Sequence, residues 1–290
     1  MTAALVGDEL GPRGRRRVLA GSVAAGVVIS GLVAIGLRRF AARGQLDPEL
    51  WSILADPGVV RFLLGGLANT LKAAGAGMVG AVAVGTVMAL GRLSRHRLVG
   101  WLAGGYVEFF RGFPLLLLIL FSAFGLPRLG VDLPLFWYLV LGLAVYNGAV
   151  LAEIFRAGIL SLDRGQREAA LAVGLGPGQA MRLVVLPQAV RRMLPAIVGQ
   201  LVVLLKDTSL GYAVLYEELL RRAQITGAFD GNLLQVLLAA AAAYIAVNLP
   251  LSRVARRLEV RQGGRYGGSV EVRGAPEDLV AVQDEAAAAG

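Results

Sequence analysis

The apolar positions of this 290-residue chain fall in long runs rather than in the alternation of a half-buried sheet. Six runs stand out: 18–37; one starting between Phe62 and Ala68 and ending near Gly91; 98–126; 135–155; 196–215; and 233–251. A helix rising about 1.5 Å per residue needs roughly 20 residues to cross about 30 Å of hydrocarbon, so each run is long enough to span a bilayer. The pattern predicts an all-α polytopic membrane protein. No internal repeat is evident.

The polar stretches set the orientation. With the N-terminus inside, the inner segments hold eighteen arginines: Arg13, Arg15, Arg16 and Arg17; Arg92, Arg95 and Arg97; Arg156, Arg164, Arg167, Arg182, Arg191 and Arg192; and Arg253, Arg256, Arg257, Arg261 and Arg265. The outer segments hold seven: Arg38, Arg39, Arg43, Arg61, Arg128, Arg221 and Arg222. Cytoplasmic loops collect basic residues, so this distribution predicts that both termini are cytoplasmic. The chain is 56% hydrophobic and 17% charged with a net charge of +9. Because the arginines flank apolar runs and form no stripe, the excess reads as topology, and no nucleic-acid partner is expected. Arg15 to Arg17 before the first run resemble the start of a signal peptide. That run has about 20 residues against the usual ~7–15, however, which favours an uncleaved anchor. The tail over 262–290, rich in glycine, alanine and acidic residues, is expected to be disordered.

One interval is too polar to cross the membrane and too apolar for a plain loop. Gly174, Gly176, Pro177 and Gly178 break it, with helix-favouring residues over 167–173 and 179–186. Such a pair of short helices either rests on headgroups or buries a face against a soluble partner.

The spacing here resembles the EAA signature of permease subunits of ATP-binding cassette importers: Glu168, Ala169 and Ala170, three residues, Gly174, nine residues, Val184 at an aliphatic position, any residue, then Leu186 and Pro187. The likeness extends over about 65–259 to the polar amino-acid branch. Further blocks carry it: Gly66, Leu67, Thr70 and Leu71; Tyr106, Val107, Glu108, Phe110, Arg111, Gly112 and Pro114; Ala152, Glu153, Arg156 and Gly158; Lys206, Asp207, Thr208, Ser209 and Leu210. The resemblance implies a five-span core over 62–259, a cytoplasmic coupling loop over 164–195, and an additional transmembrane helix over 18–37 behind a basic N-terminus of 1–17. It implies that Glu168, Ala169, Ala170, Gly174, Leu186 and Pro187 couple to a cytosolic ATPase dimer, with a second permease subunit, like or unlike, and an extracytoplasmic substrate-binding protein. The implied site of action is the bacterial plasma membrane, and the implied cargo is glutamate or a related acidic or amide amino acid.

The absence of cysteine excludes disulfides and thiolate chemistry, and a single histidine, His96, cannot build a two-histidine metal site. A phosphate-binding loop needs lysine after glycine. The two lysines, Lys72 and Lys206, both follow leucine, so no cofactor is expected in this chain, and ATP and Mg belong to a partner. Ionisable residues within spans line cavities or pair with one another. If the fifth span starts near Ala196, Lys206 lies about 15 Å along it, near the midplane, with Asp207, Thr208 and Ser209 following. This run is the candidate substrate contact; self-neutralisation of Lys206 by Asp207 is the alternative. Glu108 and Arg111, three apart, either pair or join the substrate pathway. Glu153 suits a gate or a structural ion pair. Lys72 is expected near the outer end of its span, where it would snorkel. Gly75, Gly77 and Gly80 are expected at close helix contacts, and Trp51, Trp101 and Trp137 at interfaces. A scaffold that recruits an ATPase without moving solute stands as the other reading.

Overall fold

The computed structural model describes residues 11–266, and every regular element among them is helical. The α-helices are α1 (Pro12–Ala42), α2 (Pro48–Ser52), α3 (Pro57–Arg92), α4 (Arg97–Gly112), α5 (Leu115–Gly125), α6 (Leu135–Leu160), α7 (Arg164–Ala172), α8 (Pro177–Gln179), α9 (Leu186–Asp207), α10 (Leu219–Asp230) and α11 (Leu233–Tyr266). Wider π-turns over Ala180–Val185 join α8 to α9, and tighter 3₁₀ turns over Thr208–Val214 follow α9.

Among the described residues five stretches are long and apolar enough to cross a membrane: α1, α3, α6, Pro177–Val214 and α11. The third run, expected as one span over 98–126, is two helices, α4 and α5, bent by 102°. The reason is local. Phe113 and Pro114 leave the helix for extended backbone, and proline lacks the N–H that would carry the ladder across. The fifth span starts earlier than Ala196, and the expected second short helix over 179–186 is its first part rather than a separate element. Helix α3 begins at Pro57, so Lys72 stands fifteen residues into it and not near its end. Helix α11 continues to Tyr266; the expectation for 267–290 falls outside the described residues.

The chain resolves into two compact units, one of residues up to Ala68 with Glu217–Ala243, the other of Asn69–Tyr216 with residues from Tyr244 on. In the second, Leu139, Leu143 and Leu151 of α6, Leu204 of α9, Val107 of α4 and Ile119 of α5 form a fully buried core. Side-chain-free positions bring α3 and α6 together: a β-carbon at Gly80 would stand 2.8 Å from that of Ala144, and one at Gly148 2.7 Å from Val84. Close backbone approach of this kind replaces the hydrophobic effect as the source of helix affinity in lipid. Gly77 shares this role, whereas Gly75 faces open space. Polar ties complete the packing: Tyr106 Oη donates to the Val145 carbonyl at 2.9 Å, and Ser122 Oγ to that of Tyr138 at 2.6 Å.

In the first unit the large apolar side chains of α1 are exposed along its length. Gln235 donates to the Gln45 carbonyl at 2.9 Å and Asn232 to that of Leu50 at 3.0 Å. Arg222 lies over the Phe62 ring, 4.5 Å from its centroid, and donates to the Phe62 carbonyl at 2.9 Å.

Candidate functional site

The hairpin is built from its own backbone chemistry. Asp163 caps α7 by accepting from the Gly165 amide at 2.8 Å. At the other end Gly174 adopts φ +85, its amide bonds to the Leu171 carbonyl at 3.0 Å, and the Leu175 amide reaches back to that of Ala170 at 3.2 Å. This paired closure is the left-handed helix stop that glycine makes without steric cost. Gln179 Oε1 then accepts from the Gly176 amide at 2.9 Å, setting the start of the returning helix. Pro187, which has no N–H and whose ring would strike the Leu183 carbonyl in a regular turn, stands just after the widened π-turns, one residue past Leu186.

Helix α7 packs on the 180–185 turns and buries Ala170, Ala180 and Val185. Ala170 therefore supports the hairpin from within, while Glu168, Ala169 and Gly174 stay exposed. Leu186 is 40% exposed, and Pro187 is exposed beside it. The structure adds two residues that the spacing did not single out: Val173 is 77% exposed and Leu183 61%. Only packing direction reveals them, since each is one of many aliphatic residues in the interval.

The hairpin is tied to the spans. Gln188 donates to Gln166 Oε1 at 3.2 Å, joining α9 to α7. Arg192 donates to the carbonyl of Ser161, the residue that caps the C-terminus of α6, and its Nη1 lies 3.3 Å from the Ser161 hydroxyl. A cation on the last carbonyls of a helix also complements its dipole. Below this tie a β-carbon at Gly158 would lie 3.1 Å from the sulfur of Met193, so α6 and α9 cross closely. Further along α9, Gln200 donates to Asn147 Oδ1 at 2.6 Å, and the buried Asn147 amide donates to the Leu143 carbonyl at 3.0 Å.

The intramembrane candidates separate into two groups. Lys206 and Asp207 form the last turn of α9, not its middle; Lys206 is exposed, Asp207 and Ser209 half-buried, and Thr208 fully buried with its hydroxyl donating to the Leu205 carbonyl at 2.7 Å. Glu108 and Arg111 do not pair. Arg111 instead lies 3.9 Å from Glu153, whose other carboxylate contacts are Arg92, through the same oxygen, and Arg156 at 2.6 Å. One carboxylate thus joins α3, α4 and α6 within a cluster of three guanidinium groups. Glu108 is exposed on α4.

Residues 81–263 match the family described as binding-protein-dependent transport system inner membrane component. The chain is 37% identical over 223 residues to the glutamate transport system permease protein GluD of Corynebacterium glutamicum, covering 76% of this chain and 82% of that one. It is 40% identical over 204 residues to the probable glutamine ABC transporter permease protein GlnP of Bacillus subtilis, covering 69% and 94%. A crystal structure of an amino acid ABC transporter superposes with a TM-score of 0.67 at 32% identity, over 72% of this chain and 98% of that one. With its helical fold, its additional N-terminal helix and its hairpin, the chain belongs to the binding-protein-dependent transport system inner membrane components, as a permease of the polar amino-acid type of ATP-binding cassette importer.

Proposed function

We propose that the chain is the membrane-spanning subunit of an ATP-driven importer of polar amino acids, with glutamate as cargo. The observation that carries the transport reading is the hairpin: a self-closed element presenting Val173 and Leu183 outward while Gln188 ties its α7 to α9 and Arg192 ties α9 to the end of α6. Exposed aliphatic side chains on the hairpin, among Arg164, Arg167 and Arg182 and ahead of the apolar part of the fifth span, suit a protein partner. Rigid attachment to two spans suits transmission of a rigid-body movement. The partner is a cytosolic ATPase dimer that carries ATP and Mg, and Glu168 beside the patch suits a charge-assisted bond to one of its basic groups. A second permease subunit and an external binding protein complete the assembly. Both chain termini lie in the cytoplasm, in keeping with the arginine distribution.

Two relatives named for glutamate transport, GluD and the glutamate/aspartate import permease protein GltK of Escherichia coli, at 37% and 36% identity, support the choice of cargo. The Lys206 ammonium, exposed at the end of α9, suits a second carboxylate. The test is uptake of labelled amino acids into proteoliposomes holding this chain with its ATPase and binding protein. ATP-dependent accumulation of glutamate above glutamine and arginine is expected. Accumulation of none of them would remove the transport reading, and preference for glutamine or arginine would remove the cargo.

A further inference from the structure

Helix α11 does not stop where its apolar run stops. It runs from Leu233 to Tyr266 without a break, past the end of the apolar stretch at 233–251. Beyond that point Ser252, Arg253, Arg256 and Arg257 recur at three- and four-residue spacing, so they share one face with Leu249 before them and Val260 after. The six line a common concavity. All three arginines are exposed, and none has an ion-pair partner among the described residues. Glu259, three residues beyond Arg256, forms no bridge to it.

The order of groups along this face is informative. Leu249 lies within the apolar stretch, the Ser252 hydroxyl follows one turn later, and the guanidinium groups come in the next turn and a half. A phospholipid presents the same sequence along the membrane normal: acyl chain, ester, phosphate. A continuous helix fixes the register, so this match holds in whichever leaflet α11 emerges. Arginine is also the side chain best suited to forked bonds with a phosphate, and clusters of basic residues just beyond a transmembrane helix attract anionic headgroups.

We propose that the face of α11 formed by Ser252, Arg253, Arg256 and Arg257 binds the phosphodiester headgroup of an anionic lipid such as phosphatidylglycerol. The bound phosphodiester, with its single negative charge, offsets part of the arginines' positive charge and holds α11 at a fixed depth, with Leu249 against the acyl chains. The site is separate from the hairpin and from the 206–209 run, and it does not depend on which solute is carried.

The test uses the full chain, purified in detergent and titrated with phosphatidylglycerol or phosphatidylcholine, with bound lipid counted by native mass spectrometry. Wild type should retain phosphatidylglycerol in preference to phosphatidylcholine. Each arginine neutralised should weaken that binding about five-fold, so Arg253→Gln, Arg256→Gln and Arg257→Gln together should weaken it about 100-fold. Lysine at the same three positions should keep most of the binding, which guards against a folding defect in the glutamine variant. Equal retention of both lipids by wild type would overturn the proposal, as would a glutamine variant that binds like wild type. Displacement by glycerol phosphate at the concentration effective for the lipid would reassign the site to a free phosphate. Loss of ATPase co-purification with lipid binding intact would make the face a protein contact, and the proposal would fall.

Discussion

The hairpin and the 206–209 run each carry side chains that their surroundings disfavour, and they do so in opposite senses. In the hairpin Asp163 and Gln179 bond to backbone amides and Gln188 to Gln166, while Val173 and Leu183 face out. In the run, at the end of a long apolar helix, Thr208 turns inward and Lys206 faces out. On the proposed function, the first receives a protein partner and the second a solute. They differ in rigidity: the hairpin closes on itself through its helix stop and its ties to α6 and α9, so its shape exists before any partner arrives. The run makes a single inward hydroxyl bond, and its ammonium is exposed beside Asp207.

The sharpest way to break this contrast is to unmake the helix stop. At φ +85 a β-branched residue is strained, so Gly174→Val should misdirect the returning helix and lower ATP-driven uptake in proteoliposomes by more than about ten-fold. No atom lies within 4 Å of where a β-carbon at 174 would sit, so the requirement inside the chain is conformational. Gly174→Asn, which tolerates the left-handed region, should therefore restore most of the uptake. If asparagine fails as badly as valine, close approach of a partner backbone is the constraint instead. If valine transports at the wild-type rate, the coupling role of the hairpin is lost.

Next in size is the outward patch. Leu183→Asp and Val173→Asp place a charge on side chains that are mostly exposed. Its unfolding free energy should change by less than about 0.5 kcal/mol. Affinity for the ATPase subunit should fall about ten-fold or more, because a carboxylate buried without a partner in a desolvated interface is costly. Titration of labelled ATPase against the detergent-solubilised chain separates the two effects. An unchanged Kd would leave the hairpin a headgroup-resting pair.

These features were unequally legible in the sequence. The spans and the glycine break were plain, because run length and turn chemistry are local. The bend between α4 and α5 was hidden: hydropathy averages over Pro114, and only the missing N–H reveals the interruption. The fusion of the hairpin's second arm with α9 was missed because the apolar run begins only near Ala196, beyond Arg191 and Arg192, whereas the π-turns over 180–185 let the helix run through Pro187. The direction of Arg111 was not local at all. A three-residue spacing puts it beside Glu108, but Glu153, already faced by Arg92 and Arg156, is the carboxylate it approaches. Ala170 likewise became an internal support only once α7 was seen lying on the 180–185 turns.

The run over 206–209 divides by the same reasoning. Asp207→Ala should lower uptake several-fold with assembly unchanged, because the half-buried carboxylate stands in the turn that ends α9. Thr208→Ala removes a fully buried hydroxyl already bonded to the Leu205 carbonyl, so its effect should appear as a loss of roughly 1 kcal/mol of stability instead. Uptake assays paired with thermal denaturation of the purified chain test both. Equal loss of uptake and assembly in Asp207→Ala would assign that residue to structure.

The smallest effect is expected in the shaft joining the two regions. Gln200 lies on α9 between the hairpin and Lys206, and its bond to the buried Asn147 pins α9 against α6. In a water-soluble protein, leaving the Asn147 oxygen without a donor would cost about 1–3 kcal/mol. In a bilayer the unfolded helices also find partners, and interhelical bonds average about 0.6 kcal/mol with a maximum near 1.7. Gln200→Ala should therefore lower the unfolding free energy, followed by detergent denaturation in mixed micelles, by about 0.6 kcal/mol, and uptake should hold near wild type. A loss above about 2 kcal/mol would show that the pin, more than the close crossing at Gly158 and Met193, keeps α6 and α9 together. A collapse of uptake without loss of stability would make it part of the path by which hairpin movement reaches Lys206.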